Sequence, residues 1–192
     1  MSVKQGLLAL LVEEPRYGAE LKSEFERRTG ATWPLNIGQV YTTLARLQRD
    51  GLVEPADEDE QRRLRYRVTD AGRAAVAAWF AAPVQRSAPA RDELAIKLAL
   101  AVTVPGVDVR ELIQNQRAAT LRTLQGYTRL KRDPAADGDL AWTLVLESLL
   151  FAAEAEIRWL DHCEARIARA ATERGTAAPA AGPVPVRAEA RR

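Results

Sequence analysis

The chain has 192 residues, 47% of them hydrophobic and 28% charged, enough to bury the core of one ordinary domain or of a small domain with an extension. Its 28 Lys and Arg against 26 Asp and Glu leave a net charge of +2, and residues 1–80 balance at 12 against 12. Overall charge therefore gives no support for nucleic-acid binding, and any such case rests on local clustering. The single cysteine, Cys163, excludes an intrachain disulfide and suits a reducing, cytoplasmic compartment.

The N-terminus mimics a signal peptide, but its apolar run, Leu7 to Val12, is short and ends in Glu13-Glu14. No apolar run reaches the roughly 18 residues of a membrane span. Val3, Leu7, Leu10 and Leu11 recur at helical spacing, so residues 3–13 are predicted as a first helix. Pro15 and Gly18 mark a turn, and a second helix over 18–29 carries Leu21 and Phe25 and stops at Gly30. Trp33-Pro34 imposes an extended connection. Asn36 then caps a third helix whose oily face is Ile37, Val40, Tyr41, Leu44 and Leu47, and Gly51 stands at its C-terminal cap.

After Gly51 the period changes to two. Leu52-Val53-Glu54 is a short strand, Asp57 to Gln61 a polar loop, and residues 63–69 alternate Leu64, Tyr66 and Val68 with Arg63, Arg65 and Arg67. Thr69 caps a fourth helix over 70–81. Three helices, a hairpin and a helix make the order of a winged helix-turn-helix. The fold class is mainly α with a small β-hairpin: a winged-helix domain expected over 1–82, a linker over 83–91 and a helical domain over 92–170. Helices are predicted there at 92–103, 107–132 and 138–170, separated by Pro105-Gly106 and by Pro134 and Gly138. Residues 171–192 have almost no large apolar side chain and are predicted disordered.

The third helix carries the most informative surface. A solvated helix is usually decorated with Lys and Glu; this one shows Gly38, Gln39, Thr42 and Thr43, with no charge before Arg46. A helix entering a major groove about 12 Å wide needs small residues or residues that bond base edges. Gly38 permits close approach, Gln39 suits adenine, and Thr42 and Thr43 suit phosphate or a thymine methyl. Arg46 reaches guanine or phosphate, and the helix start capped by Asn36 offers N–H groups to a phosphate. Arg62, Arg63 and Arg65, and less strongly Arg67, fit wing contacts, although the acidic loop Asp57-Glu58-Asp59-Glu60 is unusual for a wing that grazes phosphates. Arg16 and Lys22 are weaker backbone candidates.

The oily stripe of the last helix cannot be buried by a lone hairpin, so Leu146, Leu149, Leu150, Ile157 and Leu160 are expected at a homodimer interface. His162 and Cys163 are too few for a metal site and point apart on a helix. No phosphate loop, dinucleotide turn or catalytic carboxylate pair is found, so no metal, cofactor or enzymatic activity is read.

The runs LLALLVEEPRYGAEL (7–21), GQVYTTLARLQRDGLVE (38–54) and RYRVTDAGR (65–73) resemble the PadR family of transcriptional regulators. RDELAIKLAL (91–100) and EAEIRWLDHCEARI (154–167) are similar to its long-tailed branch. The resemblance implies a homodimeric repressor on a pseudo-palindromic double-stranded DNA operator, with Tyr41 as a phosphate contact. It also implies release by a small aromatic effector in some members, for which Trp79, Trp142 and Trp159 are candidate pocket residues. The competing reading, favoured by the neutral charge and acidic wing, is a winged-helix interaction module that no longer reads DNA.

Overall fold

A computed structural model describes residues 2–58, 62–85, 91–132 and 139–176. Its elements are α1 (Ser2–Glu13), α2 (Gly18–Arg28), α3 (Ile37–Arg49), β1 (Val53–Glu58), β2 (Leu64–Val68), α4 (Asp70–Ala81), α5 (Glu93–Ala101), α6 (Val109–Lys131) and α7 (Leu140–Thr176). The architecture is mostly helical with one antiparallel hairpin, as the sequence pattern predicts.

Local chemistry sets the boundaries around α3. The Asn36 Oδ1 accepts from the Gly38 N–H at 2.8 Å, which satisfies one of the unpaired donors of the first turn. At the other end Gly51 has φ of 70°, and the N–H groups of Gly51 and Leu52 donate back to the carbonyls of Gln48 and Leu47 at 2.9 Å each. This paired closure needs a left-handed residue, which glycine supplies without strain. Thr69 caps α4 in the same way, accepting from the Gly72 N–H at 3.1 Å.

Two compact units share the chain. The first joins Met1–Glu93 with Gln125–Phe151, and the second joins Leu94–Leu124 with the residues from Ala152 onward. Packing thus divides the molecule differently from a linear split at residues 82 and 92, because α6 and α7 are long enough to serve both units. The first core is built from Leu7, Leu8 and Leu11 of α1, Leu21 of α2, Val40, Leu44 and Leu47 of α3, Val53 and Val68 of the hairpin, and Val76 of α4. The second gathers Leu98, Ile113 and Leu160, with Trp159, Cys163 and Ile167 packed on them. Beside it Thr120, almost fully buried, hydrogen-bonds Glu156, and Gln116 Nε2 donates to the same carboxylate at 2.9 Å.

Several boundaries differ from expectation. β1 runs on to Glu58, so Asp57 and Glu58, expected in a loop, are strand residues opposite β2; Glu58 pairs with Leu64 across a bulge after Pro55. Arg16 bridges Tyr66 through two backbone hydrogen bonds of 3.1 and 2.9 Å, adding a third strand-like segment that no periodicity announces. α7 continues to Thr176, so residues 171–176 of the expected disordered tail are helical: no breaker stands before Gly175, and a helix already nucleated propagates through it. Residues 177–192, the loop residues 59–61, linker residues 86–90 and residues 133–138 lie outside the described residues.

Candidate nucleic-acid interface

α3 is held by one face. Val40, Leu44 and Leu47 are fully buried, while Asn36, Gly38, Gln39, Thr42, Ala45 and Arg46 are exposed and Thr43 is half-buried. Ile37 and Tyr41, expected in the oily stripe, are 41% and 48% exposed. They lie at its edge, where the core ends. The Tyr41 ring packs on the start of α2: a Cβ built on Gly18 would meet its Cε1 at 2.8 Å. Gly18 is therefore glycine because of Tyr41. Gly38 differs, since a Cβ there would meet only the capping Asn36 Oδ1, at 3.1 Å.

The threonines are engaged with their own helix. Thr42 Oγ1 donates to the Gly38 carbonyl at 2.8 Å, and Thr43 Oγ1 to the Gln39 carbonyl at 2.7 Å. A hydroxyl has one proton, so in this conformation neither can donate to a phosphate, and each keeps only acceptor capacity and a methyl.

Cation pairing separates α3 from its surroundings. Lys4 and Arg49 pair with Asp50 at 2.8 and 3.0 Å, and Lys22 pairs with Glu26 at 2.7 Å. Arg16 meets Glu13 and Glu14, and Arg28 meets Glu13 and Glu24. Arg27 binds Glu24 and, far along the chain, Asp139 at 2.5 Å. The bond from Arg27, ahead of that from Arg28, holds the Glu24 carboxyl down to about 2. Lys4 and then Arg49 hold the Asp50 carboxyl low. Among the described residues up to 85, Arg46 and Arg62 are the cations without an intramolecular side-chain partner. Arg46 edges a shallow cleft of about 380 Å³ that also includes Val3, Lys4, Gln39, Thr43, Arg49 and Asp50. Lys4 and Arg49 were not singled out by the sequence reading; only folding brings α1 beside α3.

The hairpin gives the opposite result. Arg63 stacks on the Tyr17 ring with its Cζ 3.8 Å from the centroid, Arg65 donates to the Pro15 carbonyl at 2.8 Å, and Arg67 pairs with Glu54 at 2.7 Å. Arg63 and Arg67 stay exposed and Arg65 is half-buried, but all three are long enough to reach groups of their own chain, at Tyr17, Glu54 and Pro15. Arg62 stays outward, with φ of 59°.

Leu146 and Leu160 are 1% and 0% exposed within one chain, so they have no surface to offer a second copy. Leu149, Leu150 and Ile157 are half-buried. The exposed stripe of α7 is instead Leu140, Leu144 and Phe151, at 70%, 59% and 65%. The tryptophans have separate surroundings: Trp79 packs against Phe80, Trp142 against Gly30, and Trp159 on the second core. No described cavity is lined by any of them. Burial raises the Cys163 thiol pKa, which disfavours a thiolate. Among the described residues no His, Cys, Asp and Glu group could hold a metal ion, and no helix is long and apolar enough to cross a membrane.

Residues 7–78 match the model of the transcriptional regulator PadR-like family, and residues 90–168 that of the virulence activator alpha C-terminal region. The chain is 28% identical over 179 residues to "Probable transcriptional regulator Rv1176c" of Mycobacterium tuberculosis, covering 84% of this chain and 95% of that protein. It is similar in fold to Bacillus subtilis PadR in complex with operator DNA, with a TM-score of 0.68, 20% identity, and 87% of this chain and 99% of that one covered. The same protein in complex with p-coumaric acid gives 0.70 at the same identity and coverage.

Proposed function

The chain belongs to the PadR-like family of transcriptional regulators, which are not enzymes, and on that premise we propose that it binds DNA sequence-specifically as a homodimer and represses transcription. One observation carries this reading: Arg46, exposed on the small, neutral face of α3, has no partner among the described residues, while the cations around it are paired. A hydrated guanidinium with no intramolecular bond to break can be given to a base edge or phosphate, which a groove supplies. Asn36, Gly38, Gln39, Thr42 and Thr43 line the approach, and the half-exposed Tyr41 is the phosphate contact that the family resemblance implies. Arg62 is the wing contact; Arg63 and Arg65 position the wing.

Two copies place two α3 helices in successive major grooves of a pseudo-palindrome, with half-sites about one turn apart. The Leu140, Leu144 and Phe151 stripe supports pairing with a second copy, which would cover it. A dimer seated on a promoter excludes polymerase, which is the basis for reading repression. The tryptophans give no support to an aromatic effector pocket, and no effector is proposed.

The test is a footprint on the DNA upstream of its own gene, together with a random-site selection. Salt-sensitive protection of two half-sites is expected. No selective retention in either assay would leave the interaction-module reading, which the exposed acids Asp57 and Glu58 favour. A monomer at micromolar concentration would remove the dimer.

A further inference from the structure

At 100° per residue, Ile37, Gly38, Tyr41, Thr42 and Ala45 form one continuous exposed strip along the first two turns of α3. It holds no charged group. Its one hydroxyl besides that of Tyr41, on Thr42, donates to the Gly38 carbonyl, so Thr42 has no proton to give a base edge and offers its γ-methyl and an acceptor. Ala45 adds a second methyl, and Ile37 presents an aliphatic side chain 41% exposed at the leading end. Gly38 keeps the strip low, and packing within the fold does little to require it there. Gln39 and Arg46, the groups able to pair with base edges, lie to one side. A strip of this kind has little to offer the hydrogen-bonding edges of guanine or cytosine. What it complements in a major groove is the C5-methyl of thymine, the one apolar group displayed there.

We propose that α3 selects its half-site by packing Thr42 and Ile37 on thymine methyl groups, so that these residues set a requirement for thymine. This rests on the DNA-binding reading above and adds the kind of contact that confers selectivity. Gln39 is compatible with it, since its amide suits adenine and would read the same class of base pair from beside the strip.

Deoxyuridine differs from thymidine only by that methyl and pairs identically. The duplex recovered from random-site selection is therefore remade with each half-site thymine replaced in turn by deoxyuridine, and its affinity for the full-length protein is measured. Losing one buried methyl should weaken binding about fourfold at one or two positions, and leave the others unchanged. Thr42→Ser keeps the hydroxyl and removes only the methyl; it should abolish the penalty at one of those positions. Ile37→Ala, at an exposed site, should abolish it at another. Selective binding that is indifferent to every deoxyuridine, or a penalty that survives unchanged in both variants, overturns the proposal while leaving the DNA reading intact. Selected sites without a recurring thymine overturn it equally. Absence of selective binding overturns both, and is recognised before any base is replaced.

Discussion

The outward face of α3 and the arginine face of β2 resemble each other in the sequence and behave oppositely in the structure. α3 carries Arg46 among small neutral residues and Arg49 at its end; Arg49 is paired with Asp50, while Arg46 is unpartnered among the described residues. β2 and its approach carry four arginines, and three are bound to a ring, a carbonyl and a carboxylate of the same chain. Counting arginines would rank the wing above the helix. Asking what each can reach reverses the order. A guanidinium stacked or bonded within its own chain keeps spare N–H donors, but its position is fixed and part of its charge is already met, which reduces what it adds to DNA binding.

Arg46→Ala tests the free side of this contrast and should have the largest effect. Affinity for the selected site should fall by about 1–3 kcal/mol, with preference relaxed at one position per half-site and the thermal midpoint unchanged. A uniform loss across all sequences, read in competition binding, would make Arg46 a phosphate contact instead.

The paired cations behind α3 should answer to pH. Glu24 has a folded pKa of about 2, with the bonds from Arg27 and Arg28 as its cause, against roughly 4.3 in an unfolded chain. A depressed carboxylate contributes stability above its unfolded pKa and loses it as pH falls through the folded one. That contribution, about 2 kcal/mol after allowance for its partial exposure, should be intact at pH 6 and disappear between about pH 4.3 and 2. Glu24→Gln should lower stability at pH 6 and flatten the acid decline in that window; chemical denaturation at several pH values measures both. An acid decline as steep in the variant as in the parent would show that Arg27 and Arg28 do not depend on Glu24.

How much of this was legible in the sequence follows the reach of each interaction. Asn36, Gly51 and the spacing of Val40, Leu44 and Leu47 define α3 within 16 residues, and local patterns report local structure well. Ile37 was misplaced because an apolar residue in the first turn lies beyond the end of the core its helix packs on. The intramolecular partners of Arg63 and Arg65 were not legible because alternation gives the side of a strand and not the neighbours on that side; Tyr17 and Pro15 are nearly fifty residues away. Arg27 with Asp139 and Gly30 with Trp142 span more than a hundred residues, and no spacing rule announces them. On α7 the stripe was broad, so periodicity marked an oily helix without saying that Leu146 and Leu160 face their own chain while Leu140, Leu144 and Phe151 do not.

Arg65 and Arg67 sharpen the comparison from the paired side. Arg65 gives a charge-assisted bond to the Pro15 carbonyl from a half-buried position beside the Arg16–Tyr66 bridge, so Arg65→Ala should destabilise the hairpin by about 1 kcal/mol. Hydrogen exchange at the Tyr66 amide reports it, and the salt slope of DNA binding should not change. Arg67 and Glu54 face each other across the hairpin, both about half exposed, with a 2.7 Å contact that water screens. Such a pair contributes about 0–1 kcal/mol. Arg67→Ala should therefore shift stability by less than about 0.5 kcal/mol, the smallest effect of the set. Its value lies in DNA binding. If Arg67 is held by Glu54, the variant keeps the parent's salt dependence; if Glu54 merely parks it until DNA arrives, the slope falls by roughly one phosphate contact. Glu54→Gln separates the two further, since releasing a parked arginine should strengthen DNA binding, while releasing a structural one should leave it unchanged.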